Sequence, residues 1–540
     1  MNLFVCKNIV SLSVCFSILM WGASAKASPK KNATKGPLPR AHLANKLLQK
    51  SLLFHTTHPV TNKATSQPIR KQQVKRPRQA FATRVKCSGS LFYEGHYAKP
   101  GLRKRYGADF SVVWSSKKAM LSFKEQFRSL HSSWKQERRL FSLSGKWFHL
   151  APRSKSFVPL SSQAVTNWRT KITIRVPQLF LSHILRSPKR SLWLYTQTSQ
   201  NPGARAFQVI QYTTANGQSL FLFLDSKSHR LEKVQSFVYD AFRGDGVQTF
   251  EYVYPAKTSR FPVKVRKRLG KTLVMDWRCT RPSFKVELVA PSAIRPKKQK
   301  KALPFLSRHR VGHQLYVLEL LQMNHRVMLA EFQNFVVVLE APRSYAVGRR
   351  IVQQVKRWFP TKPIKYIIVT HHHPDHAGAV RAFTEEGSRL VTTPGNRNLF
   401  EKMHKSQHVF STTGERKNTS SSKARFLPPV FVRKKWMLQD KTQALVLYDI
   451  GKRSHHTDEH LIVHFPKQEI LFEGDLVNFR RKSIRPINLR GLGVYRSILS
   501  HKLKVKFIVQ SWPLRYTPRL APFSLMEKMV KMRKKAKKRK

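Results

Sequence analysis

The sequence reads as an α+β fold in two parts: a mainly antiparallel β domain over 80–295, then a layered domain over 305–520 with two sheets packed face to face and helices outside. Three observations lead there. Short alternating apolar runs separated by turn residues fill the first half, strands alternate with helical periodicity in the second, and a basic junction at 296–301 divides the two patterns. With 540 residues and 41% apolar content the chain has material for more than one core.

Residues 1–27 read as a signal peptide. Lys7 supplies an early positive charge, 9–21 form an apolar core, and Ala23, Ala25 and Ala27 supply the small residues of a cleavage site. That core is shorter than the roughly 20 residues a membrane-spanning helix needs, so cleavage is expected and the protein is expected to be exported, periplasmic or secreted. Cys6 and Cys15 fall in this segment, leaving Cys87 and Cys279 in the mature chain. An oxidising compartment would allow these two to join; two separate buried thiols fit the sequence equally well. Residues 28–79, rich in Lys, Arg, Pro and polar types, read as a basic linker with one short helix between Leu43 and Leu53.

In the β domain the runs at 90–93, 110–114, 147–150, 207–212 and 219–224 are aromatic and apolar enough to be strands, with hairpin turns expected at Asn216-Gly217 and Asp245-Gly246. They read as core, and no catalytic motif accompanies them. In the following domain Ser344 is expected to cap a helix whose apolar face is Val347, Ile351, Val355 and Trp358. The polar stretch 411–425 reads as an exposed inserted loop.

Thr370-His371-His372-His373-Pro374-Asp375-His376 carries the chemistry. It follows a β-branched and aromatic run at 365–370 and precedes a helical run at 377–383, which places it on a connecting loop. Alternate side chains of such a loop, His371 and His373, can converge on one cation, with Asp375 and His376 directed to a neighbouring position about 3.5–4 Å away. Neutral imidazole and carboxylate suit zinc; iron and manganese are compatible, and one or two ions can be held. The plain alternative is a solvated histidine-rich turn.

This pattern resembles the His-x-His-x-Asp-His signature of the metallo-β-lactamase-fold hydrolases. Further parts follow in the family's order: the strand-like 335–342, then His456-Thr457-Asp458 before the apolar 461–465, then Glu473-Gly474-Asp475. The resemblance implies a first metal site of His371, His373 and His456, and a second of Asp375, His376 and a bridging Asp475. His455 stands next to His456 as an alternative ligand, with Thr457-Asp458 favouring the register of His456. One element departs from the family. Its last ligand is a histidine near the C-terminus, and the corresponding 507–513 has Trp512 there, whose indole nitrogen offers no lone pair in the ring plane. His501 and His460 do not have the spacing to replace it.

The resemblance implies an exported zinc-dependent hydrolase that uses metal-bound hydroxide on a small-molecule ester, lactone, amide or thioester, with Asp375 orienting the water or taking its proton. The alternative is a catalytically impaired binding or surface protein on the same scaffold. The 80–295 region is also similar to the open β-barrel of lipoprotein-carrier domains, through its strand-turn rhythm, Asp225 followed by 231–234, and 261–265.

Charge is the remaining signal: 102 Lys plus Arg against 27 Asp plus Glu, net +75 and a pI of about 11.1. Adhesion to an anionic membrane surface or lipopolysaccharide, nucleic-acid binding, and a lineage-wide bias toward basic exported proteins all produce such a balance, and the even spread along the chain favours the last. The signal segment opposes a nucleic-acid partner. The 526–540 segment is expected to be a basic tail, with 531–540 disordered.

Overall fold

A computed structural model describes residues 39–56, 82–93, 104–115, 120–130, 135–144, 146–151, 156–186, 191–197, 206–214, 217–286, 305–406, 426–480 and 484–538, with 99 and 288. The expected signal peptide, the junction at 296–301 and the expected loop at 411–425 lie outside the described residues, as does the expected linker apart from 39–56.

The first half is one 14-stranded sheet. Its strand pairings among the described residues, such as Ala82–Tyr93 with Lys104–Ser115, are antiparallel. Ser156–Pro159 and Ser191–Gln197 form its edges, and Ala82–Tyr93 lies beside Thr272–Cys279 in the middle. Cys87 and Cys279 face one another across that central pair and are bonded, so the joined alternative holds. The expected hairpin at Asp245-Gly246 turns earlier. Asp240 Oδ1 accepts from the N–H groups of Phe242 and Arg243, Gly244 supplies a φ of +77°, and Asp245 and Gly246 are already inside the next strand.

Helices Pro39–Thr56, Ser162–Thr173 and Pro177–Leu185 bury their apolar sides in the same core as the sheet, with Leu47, Leu48, Phe180 and Ile184 meeting Phe110, Phe123, Leu222 and Trp277. The stretch 39–56 is therefore part of the domain and not a linker: Ala44, Leu47, Leu48, Ser51 and His55 recur every three or four positions and are all buried. His55 fastens its end. Leu231 N–H donates to His55 Nε2 at 3.2 Å, which leaves Nδ1–H to donate to Arg260 O at 2.7 Å.

The second half stacks a seven-stranded sheet, Ser307–Gly312 to Val430–Phe431, on a six-stranded one, Lys435–Gln439 to Ala521–Pro522. Val317, Met328, Val337 and Leu339 of the first meet Leu447, Val463 and Phe472 of the second between the layers. Tyr345–Trp358 covers one outer face through Val347, Ile351 and Val355. Leu489–Ser500 and Phe523–Lys538 cover the other through Val494, Ile498, Met526 and Met529. The segment from 526 to 538 is thus helical and anchored, not a disordered tail, because Met526, Met529 and Val530 give an otherwise basic run one apolar side. Among the described residues no helix is long and apolar enough to cross a membrane.

Candidate metal centre

Strand register brings the motif to the edge shared by the two sheets. Val336–Leu339 and Ile364–Ile368 run parallel, so the chain leaves Ile368 beside Glu340 and enters 370–376 at the C-terminal end of the strand. Pro374 opens a four-residue helical turn, and a second short helix starts at Val380, so the expected helical run at 377–383 is two pieces. Across the layers, Leu461 N–H donates to Thr370 O at 2.8 Å, which brings the loop before Leu461–Phe465 alongside.

One nitrogen each of His371, His373 and His456 lies within 4.8 Å of the others. His371 Nε2 and His373 Nδ1 are 3.0 Å apart; two ligands at zinc–nitrogen distance on a tetrahedral ion would be about 3.3 Å apart. His456 Nε2 is 3.2 Å from Asp475 Oδ1, and Asp475 also faces His371 at 3.9 Å and His376 Nε2 at 4.0 Å. Asp375 Oδ2 is 3.8 Å from the same His376 Nε2. All six residues read from the sequence thus surround one small volume, with Asp475 between the two groups. His455 is exposed, at a φ of +50°, and His456 is the one that faces the cluster. His501 lies against Tyr448, and His460 stacks on His371 while its Nε2 meets Glu473 O at 3.2 Å. Trp512 is 41% exposed.

Buried polar atoms here face one another without hydrogen bonds. His376 Nε2, His456 Nε2 and Asp475 Oδ1 have no hydrogen bond, a costly condition that a shared cation would relieve. The donor set of imidazoles plus carboxylates fits zinc.

Glu340 orients the cluster from behind. Thr370 Oγ1–H donates to Glu340 Oε1 at 2.6 Å, so the hydroxyl oxygen accepts from His371 Nδ1 at 3.0 Å and leaves Nε2 with its lone pair. The other carboxylate oxygen accepts from His376 Nδ1 at 2.8 Å, which turns that ring's Nε2 toward Asp375 and Asp475. Burial pushes His371 well below the ordinary imidazole range, and the like charges of its histidine neighbours add to this. Burial acts against His376 too, but the Glu340 carboxylate outweighs it and raises the group to about 10. Burial opposes the charge on Asp475, yet His456 and His376 hold that carboxyl well below its usual range. Sequence reasoning missed Glu340 and Thr370 as participants. A carboxylate between the apolar 336–339 and Ala341-Pro342 was the available signal, since a charge in that position is buried only with partners.

Residues 357–507 match the family described as Metallo-beta-lactamase superfamily. That match lies within the second, layered domain, which is where the chain is similar to this superfamily. Solved metallo-β-lactamases align with it at low identity. The enzyme from Pontibacter korlensis is 17% identical over 42% of this chain and 99% of its own, with a TM-score of 0.31. FIM-1 from Pseudomonas aeruginosa, in its mono-zinc form, is 18% identical over 44% and 99%, with a TM-score of 0.30. The Hirschia baltica enzyme is 15% identical over 42% and 97%, also with a TM-score of 0.30. No curated protein matches the chain.

Proposed function

We propose that the protein is an exported, zinc-dependent hydrolase of a small-molecule ester, lactone, amide or thioester. The observation that carries this is the convergence of His371, His373 and His456 with Asp475, in which His456 Nε2 and Asp475 Oδ1 are buried 3.2 Å apart without a hydrogen bond. Bound there, zinc would supply an acidified water and a Lewis acid for the scissile carbonyl. His371, His373 and His456 would hold it, the first fixed by Thr370. Asp375, beside His376 at the rim of the cluster, would orient the attacking water and take its proton. Arg490, whose Nη1 is 4.0 Å from Asp475 Oδ2, puts a cation where an anionic group of a substrate or product could rest.

Export is supported by the signal-like N-terminus and by a disulfide, a bond that persists in oxidising compartments. A second reading, a non-catalytic binding protein on this scaffold, is favoured by Trp512, which stands where a ligand was expected and turns its ring toward solvent. The test is turnover by the zinc-loaded full chain on lactone, thioester, ester, lactam and phosphodiester substrates. Hydrolysis in one of the first four classes that falls at least about 100-fold in His371→Ala, a larger loss than outer partners of a metal site usually give, supports the enzyme. Full zinc occupancy without turnover of any substrate supports the binding protein.

A further inference from the structure

We infer that His325 is a ligand of the second metal position, supplying from a neighbouring strand the imidazole that Trp512 does not. The inference rests on the metal centre proposed above and concerns its completion. His325 opens the strand His325–Glu331, is 0% exposed, and has no hydrogen-bond partner at either ring nitrogen. A buried imidazole normally commits at least one nitrogen to a donor or acceptor, so two orphaned nitrogens in one ring call for another kind of partner.

The surroundings say which. The ring lies edge-on to His376 with centroids 5.1 Å apart, and one nitrogen of His325, one of His376 and an oxygen of Glu340 lie within 4.8 Å of one another. Glu340 is engaged by Thr370 and His376 and makes no hydrogen bond to either nitrogen of His325. His376 in turn directs Nε2 toward Asp375 and Asp475, the acidic half of the second position.

The missing histidine and His325 occupy the same neighbourhood. Arg326 N–H donates to Ser511 O at 2.7 Å, Leu514 N–H to Asn324 O at 3.1 Å and Arg515 N–H to Asn324 Oδ1 at 2.6 Å, so 324–326 is laced to the segment that should have carried the ligand. Ser511 Oγ comes within 3.5 Å of His376 Nδ1, while the next side chain, Trp512, faces outward. The backbone therefore reaches the second position from the expected direction without an imidazole, and the imidazole at that place arrives from the strand hydrogen-bonded to it.

Metal-freed full chain titrated with Co²⁺ and followed by ligand-field absorption tests this. The unmutated protein is expected to take two equivalents, and His325→Ala to keep the first unchanged while the second weakens about tenfold or more, the scale on which lost metal-site partners act. Two equivalents at unchanged affinity in His325→Ala overturn the inference. So does a single equivalent in the unmutated protein, which leaves the hydrolase reading standing; no binding at all overturns both. Because removing a buried ring can prevent folding, a crystal structure of the unmutated zinc-loaded chain provides a second check. A second ion with a His325 nitrogen at about 2.0–2.1 Å supports the assignment, and a second ion whose ligands exclude His325 overturns it.

Discussion

Glu340 grips a histidine of each metal position at once, directly at His376 and through Thr370 at His371. It does so at a φ of +81°, a left-handed conformation that a non-glycine residue holds only when its surroundings require it, commonly at a functional site. Glu340→Gln keeps the shape but weakens both grips, and zinc affinity is expected to fall about 10- to 100-fold in a chelator competition assay. Unchanged affinity would remove Glu340 from the centre. The candidate ligands were legible because four of them crowd into six positions and the other two keep a known order. Glu340, Thr370 and His325 were not, since their roles arise only when strand register sets 340 against 368 and hydrogen bonds tie 326 to 511.

The helix 39–56 shows how a basic, Pro-flanked segment can hide an element. Its buried stripe is short, and the polar His55 and Ser51 complete it, so composition pointed to a linker. Burial is the main cause that lowers His55 to about 4, with Arg230 adding to it. Protonation would also set an N–H against the N–H of Leu231. The neutral form therefore stabilises the fold fully above about pH 6.5, and that contribution, at most about 3 kcal/mol, is lost as pH falls toward 4. Thermal melts between pH 7 and 4 are expected to show a fall in stability that is blunted in His55→Ala, which should already be less stable at pH 7. Equal pH slopes in the two proteins would refute this role. The Cys87–Cys279 bond staples two mid-sheet strands 192 positions apart, and reduction is expected to cost about 5 kcal/mol on the loop-entropy account, seen as a lower melting temperature in dithiothreitol.

The whole molecule combines a layered domain carrying the candidate metal centre with a broad antiparallel sheet whose helices fill a packed core. Alternation of apolar residues made the two sheet types legible, because period-2 runs and strand–helix alternation follow directly from which faces are buried. The helical end at 523–538 was hidden under seven lysines and arginines between 528 and 538, although three apolar side chains were enough to dock it. A net charge of +75 acts at the same level: the chain is expected to co-sediment with anionic phospholipid vesicles at low salt and to release by about 0.5 M, where the screening length is near 4 Å. Binding that survives such salt would require a specific lipid site. The most direct measurement of the central account is the zinc content of the exhaustively dialysed full chain beside that of His456→Ala. At least one zinc per chain, lost in the variant, is the expected result; less than one in the unmutated protein, or equal content in both, would contradict it.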